Sequence, residues 1–360
     1  MENLVSTFNK LHAKSSMNGG TGRPGAGETA ETPTELLEAV DRMGLLASGD
    51  KPRMTALAGG VSSDIWRLDL ARGTVCVKRA LSKLRVSADW QAPVERSDYE
   101  RDWLKFARSV VGKSVPKILG SLPGMFVMEY LDPAQYPVWK SQLRDGMISP
   151  STAAEVGRVI GKIHAATANN PAFAQRFASD RIFHSIRLEP YLIATAQAQP
   201  DVAPQLMQLA EITAKTRLAL VHGDVSPKNI LVGSRGPVLL DAECAWYGDP
   251  AFDVAFCLNH LLLKCIWRPQ WRDAYLQCFD AFLATYKQRV IWERPEEIDQ
   301  RAARLLPGLM LARVHGKSPV EYIRNPVDAE KVCAVARKLL LEPVARLAAV
   351  RETWRMALLQ

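Results

Sequence analysis

The stretch VHGDVSPKNILVGSRGPVLLDAECAWYGDPAFD, residues 221–253 of a 360-residue chain, decides how the rest is read. Its head is His222-Gly223-Asp224, with Asn229 five residues beyond the aspartate. A polar turn containing Gly233 and Gly236 leads into the apolar run Val238-Leu239-Leu240, which ends in Asp241. An aspartate, an asparagine five residues on and a second aspartate at a strand end have the spacing of a phosphoryl-transfer site. That chemistry needs a carboxylate to orient an attacking hydroxyl. It also needs hard oxygen donors for Mg²⁺, which keeps waters and phosphate oxygens in the rest of its shell. Asp and Asn also cap turns between strands, but three elements in order at these separations outweigh that reading.

HGDxxxxN followed by LDxE and GDPxxD resembles the catalytic segment of the aminoglycoside phosphotransferase family. This is the small-molecule branch of the protein-kinase-like fold and includes choline, homoserine, fructosamine and methylthioribose kinases. The resemblance implies an α+β, bilobal architecture, with a small antiparallel-sheet lobe covering a nucleotide and a mostly helical lobe for catalysis and acceptor binding. It implies Asp224 as the catalytic carboxylate, Asn229 and Asp241 as Mg²⁺ ligands, and Glu243 as a further ligand. His222 would support the loop, and Asp253 would hold it by accepting backbone hydrogen bonds. ATP or GTP would be the co-substrate.

Bulk properties fit an ordinary soluble protein: 48% hydrophobic and 23% charged residues, on a chain long enough for one two-lobed domain. The six cysteines form no Cys-x-x-Cys pair or metal-ligand spacing and read as reduced residues of a cytoplasmic protein. The longest apolar run, near 254–263, is interrupted by Asn259 and His260, so no membrane partner is expected. A net charge of +8 is dispersed rather than clustered, and nucleic acid is not expected as a partner either.

Residues 1–31 are rich in Gly, Ser, Thr and Asn and read as a disordered tail. GRPGAGET within it puts Glu28 where a phosphate-binding loop requires lysine, and is rejected as a nucleotide site. Thr32-Pro33-Thr34-Glu35 reads as a capped helix start. A first lobe over 32–131 and a second over 132–360 follow from the pattern. Residues 53–80 give three antiparallel strands, with Gly59, Gly60, Ser62 and Ser63 in the first turn and Lys78 on the third strand. In the kinase-like fold such a loop covers the phosphates and such a lysine contacts them.

A helix is expected over 95–110, with Tyr99, Trp103, Phe106 and Val110 on its apolar face. The fold asks it for a glutamate to pair with Lys78: Glu100 is the first choice, Glu95 the reserve. FVMEYLD resembles the family's hinge, where backbone groups near Met128 and Tyr130 would bond the adenine edge. Ser151 is read as the cap of a helix in which His164 is a satisfied core histidine, and Asp249-Pro250 opens another helix running to about Lys264.

The expected reaction is transfer of a γ-phosphate to a hydroxyl of a sugar, amino alcohol or aminoglycoside-like molecule. A protein Ser/Thr kinase is the alternative, opposed by Ser226 in place of a lysine and by Asp241-Ala242-Glu243 in place of Asp-Phe-Gly. A non-catalytic nucleotide-binding scaffold is a second. Glu243 followed by Trp246-Tyr247-Gly248, and the segment Leu311-Ala312-Arg313-Val314-His315-Gly316, are similar to methylthioribose kinases, which would put Trp246, Tyr247 and Arg313 on the acceptor side. For Arg313 the alternative is a surface arginine answering a helix dipole. The excess of 17 Lys/Arg over 11 Asp/Glu across 261–360 disfavours a polycationic acceptor.

Overall fold

Short continuous apolar runs, Val75-Cys76-Val77 and Met125-Phe126-Val127-Met128, form the buried centre of the N-terminal sheet, flanked by more exposed strands. The computed structural model describes residues 33–57, 63–81 and 93–359. The expected tail, Thr32 and the turn residues Gly59, Gly60 and Ser62 lie outside the described residues. Helix α1 is Pro33–Arg42, and the chain from Ala39 onward forms one compact unit.

Within that unit, strands β1 (Arg53–Ala56), β2 (Ser63–Leu70), β3 (Gly73–Ala80), β4 (Ile118–Leu122) and β5 (Met125–Glu129) form one antiparallel sheet in the order β1-β2-β3-β5-β4. The register sets Lys78 opposite Phe126 and Cys76 opposite Met128, so these four share a face. Helix α2 (Arg96–Val111) covers it with Trp103, Leu104 and Ala107. Its buried stripe is not the one expected. Tyr99, Phe106 and Val110 are only half-buried, while Arg96 and Glu100 are buried with Trp103. Hydropathy alone assigns charges to the outer face; here each buried charge has a partner.

The remainder is mostly helical: α3 (Trp139–Arg144), α4 (Pro150–Thr167), α5 (Pro171–Arg176), α6 (Asp180–Phe183), α7 (Ala194–Ala198), α8 (Ala203–Lys215), α9 (Ala251–Trp267), α10 (Arg272–Lys287), α11 (Pro295–His315), α12 (Pro326–Leu341) and α13 (Leu347–Ala357). The cap of α4 is Ser149, which accepts from the Thr152 amide, rather than Ser151, because Pro150 takes the first helical position. Helix α9 is buried all round from Ala251 to Cys265, as a central helix must be. No helix among the described residues is long and apolar enough to cross a membrane. All six cysteines are free and buried.

Between α6 and α7 the chain runs as a π-helical stretch, His184–Ile193, containing Pro190. A proline removes one amide and crowds the preceding turn, and the wider helix accommodates both effects. Strands β6 (Ala219–Val221) and β9 (Trp246–Gly248) pair with each other, as do β7 (Ile230–Gly233) and β8 (Gly236–Leu239). These two short ribbons carry the segment with which the sequence reading began.

Candidate active site

Strand β6 delivers the chain into His222-Gly223-Asp224, and α9 fixes the turn. The Asp253 carboxylate accepts the amides of His222 at 2.7 Å and Gly223 at 2.8 Å, and also meets His164 Nε2 at 3.2 Å. His164 Nδ1 lies 2.9 Å from the Tyr286 hydroxyl, so this buried histidine is fully partnered. His222 Nδ1 accepts the Asp224 amide at 3.1 Å, which leaves Nε2 to donate to the Leu240 carbonyl at 3.1 Å. Burial holds its pKa below the ordinary value, favouring this neutral, two-ended staple. Gly223 has φ +78, and a Cβ there would lie 2.6 Å from that of Cys244, so only glycine fits the turn.

The Asp224 carboxylate is buried and gripped from one side. Arg187 Nη2 lies 2.8 Å from Oδ2, and Arg187 Nε donates to the Gly223 carbonyl at 2.5 Å. Lys228 Nζ stands 3.3 Å from the same Oδ2. Burial alone would raise the Asp224 pKa, but Lys228 and Arg187 outweigh it and hold the carboxyl well below its usual range. Asn229 Nδ2 donates to the Asp224 carbonyl at 3.2 Å, leaving its amide oxygen as a free acceptor.

A second cluster closes on Lys78. Its ammonium is 2.8 Å from Glu100 and is paired with Asp241 as well. Glu100, not Glu95, therefore occupies the place opposite Lys78. Burial opposes the lysine's charge, yet Asp241 and Glu100 together raise its pKa; burial pushes Glu100 up to about 7. Asp241 has φ 68, a left-handed conformation that aspartate tolerates better than most residues. Ser63, the first residue of β2, is buried.

Other residues expected at the site stand differently. Glu243 is tied to the buried Arg96, Nε to Oε2 at 3.0 Å, and Arg96 also donates to the Pro93 and Leu81 carbonyls. Trp246 and Tyr247 are corrected outright. Both are buried in β9; the indole donates to Asp180 at 2.9 Å, and the Tyr247 hydroxyl takes the Asn170 amide at 2.9 Å and reaches the Leu218 carbonyl at 3.0 Å. With every polar atom spent internally, they brace the catalytic segment and present nothing to an acceptor. Met128 sits inside β5 between two neighbours, and Tyr130 just beyond its end, with the Arg67 guanidinium 5.0 Å from its ring centre.

Beside Asp224 lies a cavity of about 200 Å³ whose walls include Tyr191, Lys228, His260, Lys264 and Arg313. Arg313 lies in the last turn of α11 and does reach this wall, donating to the Tyr191 hydroxyl at 3.1 Å and to Ser318 at 2.9 Å. Arg187, Lys228, Lys264 and Arg96 were not singled out from sequence. Lys228 was visible in principle, four residues after Asp224 inside the quoted motif. Arg187 had no local signal, since its contact with Asp224 exists only because the π-helical stretch folds back across the loop.

Comparison with known proteins places this geometry. The chain spans about half the length of the curated relatives it matches. Methylthioribose kinase of Escherichia coli O45:K1 is 25% identical over 231 residues, covering 55% of this chain and 54% of that protein. Among solved structures, Plasmodium vivax ethanolamine kinase superposes with a TM-score of 0.52 at 11% identity, covering 86% of each chain. An amicoumacin kinase solved with AMP-PNP, Ca²⁺ and its ligand does so with a TM-score of 0.50 at 17% identity, covering 82% of this chain and 90% of that one. At these identities the structures speak for a shared protein-kinase-like fold. The profile of the phosphotransferase enzyme family matches residues 53–290, from β1 through the Asp224 loop into the helices beyond, and the chain belongs to that family.

Proposed function

We propose that the chain transfers the γ-phosphate of ATP, or GTP, to a hydroxyl of a small molecule held in the cavity beside Asp224. The observation that carries this reading is the grip on Asp224: a buried carboxylate, ionised by Arg187 and Lys228, facing a cavity large enough for a small acceptor. Such a carboxylate accepts a hydrogen bond from the acceptor hydroxyl and aims its oxygen at the phosphorus. The acceptor oxygen forms the new P–O bond as the bond between the γ-phosphorus and the β,γ-bridging oxygen breaks, and ADP leaves. The hydroxyl proton passes to Asp224. A depressed pKa makes Asp224 a weak base, which suits a loose transition state where orientation matters more than early proton removal.

Lys78, braced by Glu100, would steady the nucleotide phosphates, with Ser63 at the start of β2 and backbone groups around Met128 and Tyr130 on the nucleotide side. The donor set fits a magnesium ion held largely by substrate. Among the described residues Asn229 offers its amide oxygen, Asp241 pairs with Lys78 through Oδ1 and keeps Oδ2 for a cation, and Glu243 is tied to Arg96 through Oε2. Asn229 and Asp241 would hold the ion, with Glu243 acting through Arg96. Bound there, magnesium supplies neutralisation of phosphate charge. Between Asp241 and Ala251 the chain is taken up by β9 and the helix start, which leaves no platform for a peptide and favours a small acceptor.

The test is ADP release over a panel of sugars, amino alcohols and aminoglycosides, with wild type and Asp224→Ala compared on any acceptor found. Loss of the orienting carboxylate should cost roughly 10²- to 10⁴-fold in turnover with ATP binding retained. A variant that keeps more than half the rate removes Asp224 from the mechanism.

A further inference from the structure

The walls of the cavity beside Asp224 are cationic in a way the phosphotransfer chemistry does not use. Four basic side chains line it, Lys140, Lys228, Lys264 and Arg313, against the carboxylates of Asp224 and Glu321. Lys228 stands against Asp224, and Lys140 pairs with Glu321 at 2.5 Å. Lys264 and Arg313 are left over, with no carboxylate partner among the described residues.

Lys264 is the sharper case. It is 1% exposed, and among the described residues its ammonium is met by the ring faces of Trp267 at 5.6 Å and Tyr322 at 5.4 Å and by no carboxylate. Aromatic faces compensate a buried ammonium less well than an anion does. Burial and the nearby Lys140 pull its pKa down to about 7, and the Glu321 carboxylate, already paired with Lys140, offsets this only in part. Arg313 uses Nη1 on Tyr191 and Ser318, while its Nε is buried and has no acceptor. The Tyr322 hydroxyl on the same wall is likewise buried and unpartnered. Three donors with unmet demand thus converge on one cavity.

We infer that the acceptor is a small alcohol carrying its own anionic group, a carboxylate or a phosphate ester, seated on Lys264 and Arg313 with its hydroxyl toward Asp224. The inference rests on the phosphotransferase reading and narrows its substrate class. Size agrees. A cavity of about 200 Å³ beside Asp224 gives a compact hydroxy acid room to seat its acid group on one wall and its hydroxyl on the other. Charge agrees too, since an amino alcohol would bring a third uncompensated cation into the same walls.

The experiment is calorimetric titration without nucleotide, so that it does not depend on turnover. The probes are matched pairs: D-glycerate with glycerol, D-gluconate with D-glucitol, and sn-glycerol 3-phosphate for the ester arm, with ethanolamine as the cationic control. At least one acid should bind about tenfold or more tighter than its neutral partner. The Lys264→Met variant, which fills the same volume without charge, should erase that ratio while its thermal melt shows a folded protein. The stronger arm, carboxylate or phosphate, identifies the anionic group. Acids binding no tighter than neutral partners or ethanolamine overturns the inference, as does an acid preference that survives Lys264→Met. Absence of ADP release by the wild type on every acceptor tried, the tight-binding acid included, with the acid preference intact, overturns the catalytic reading instead.

Discussion

Replacing Arg187 by methionine tests whether Asp224 depends on a residue that the motif does not contain. Methionine keeps most of the side-chain volume, so the loss is electrostatic rather than a cavity. Arg187 gives up an ion pair to Asp224 at 2.8 Å and bonds to the Gly223 and Ile186 carbonyls at 2.5 and 2.6 Å. Removing one partner of a buried pair typically costs about 3–5 kcal/mol, because the other charge stays buried. Lys228 still faces Asp224, but from 3.3 Å on a side chain that is 55% exposed, so it compensates only in part. A loss of about 3 kcal/mol at neutral pH is expected. Arg187→Lys keeps the charge but not the planar fork, and should lose about 1–2 kcal/mol.

The pH dependence gives a second handle. Asp224 is held below its usual pKa, so its stabilising contribution is present above the ordinary carboxylate range and is lost as pH falls through the folded value. Without Arg187 the folded pKa moves up, and protonation relieves the stranded charge. The difference between wild type and variant should therefore be largest near neutrality and shrink as pH falls below the variant's raised folded pKa toward the depressed wild-type value. Urea unfolding at a series of pH values measures it. A loss under about 1 kcal/mol, or one that does not change with pH, would refute the proposed grip.

Asp241→Asn should raise the magnesium concentration needed for half-maximal turnover sharply, and Glu243→Gln less so, read from metal titrations of activity; equal responses would put the ion elsewhere. Gly223→Ala forces a left-handed backbone on alanine and drives its Cβ against Cys244, so a loss of about 1–3 kcal/mol is expected in denaturant melts, and wild-type stability would contradict the turn geometry. Lys264 is held near 7 when folded against about 10.4 when free, so the unfolded chain binds more protons between those values and stability rises with pH across that window. Lys264→Met should lack that rise, which is on the order of 4 kcal/mol, and paired melts across the window should show the two curves converging as pH increases.

Much of the architecture is legible because it is written in short-range patterns. Trp66, Leu68 and Leu70 alternate along β2, the run Val75-Cys76-Val77 gives the strand that carries Lys78, and helix starts follow from Asp249-Pro250 and, two residues off, from Ser151. The spacing of Asp224, Asn229 and Asp241 marks the chemistry, since all three lie on one continuous stretch whose turns fix their separation. Helix α2 shows where pattern fails. Its buried stripe holds Arg96 and Glu100, and charge reads as exposure until the partners Glu243 and Lys78 are seen across 147 and 22 residues. Trp246 and Tyr247 were drawn to the acceptor by their place in a motif, but the pairing of β9 with β6 turns them inward.

Sequence alone determined what has period and spacing: the α+β division, the order and separation of Asp224, Asn229 and Asp241, and the lysine on the third strand, whose partner it left between Glu100 and Glu95. The tertiary structure decided what depends on charges brought together from distant segments. Only folding brings Arg187 of the π-helical stretch onto Asp224, sets Arg96 on Glu243, and collects Lys264 from α9 and Arg313 from α11 on one cavity wall. The physical reason is that a charge's role is fixed by what surrounds it after burial, and those surroundings come from elements with no local relation in the chain.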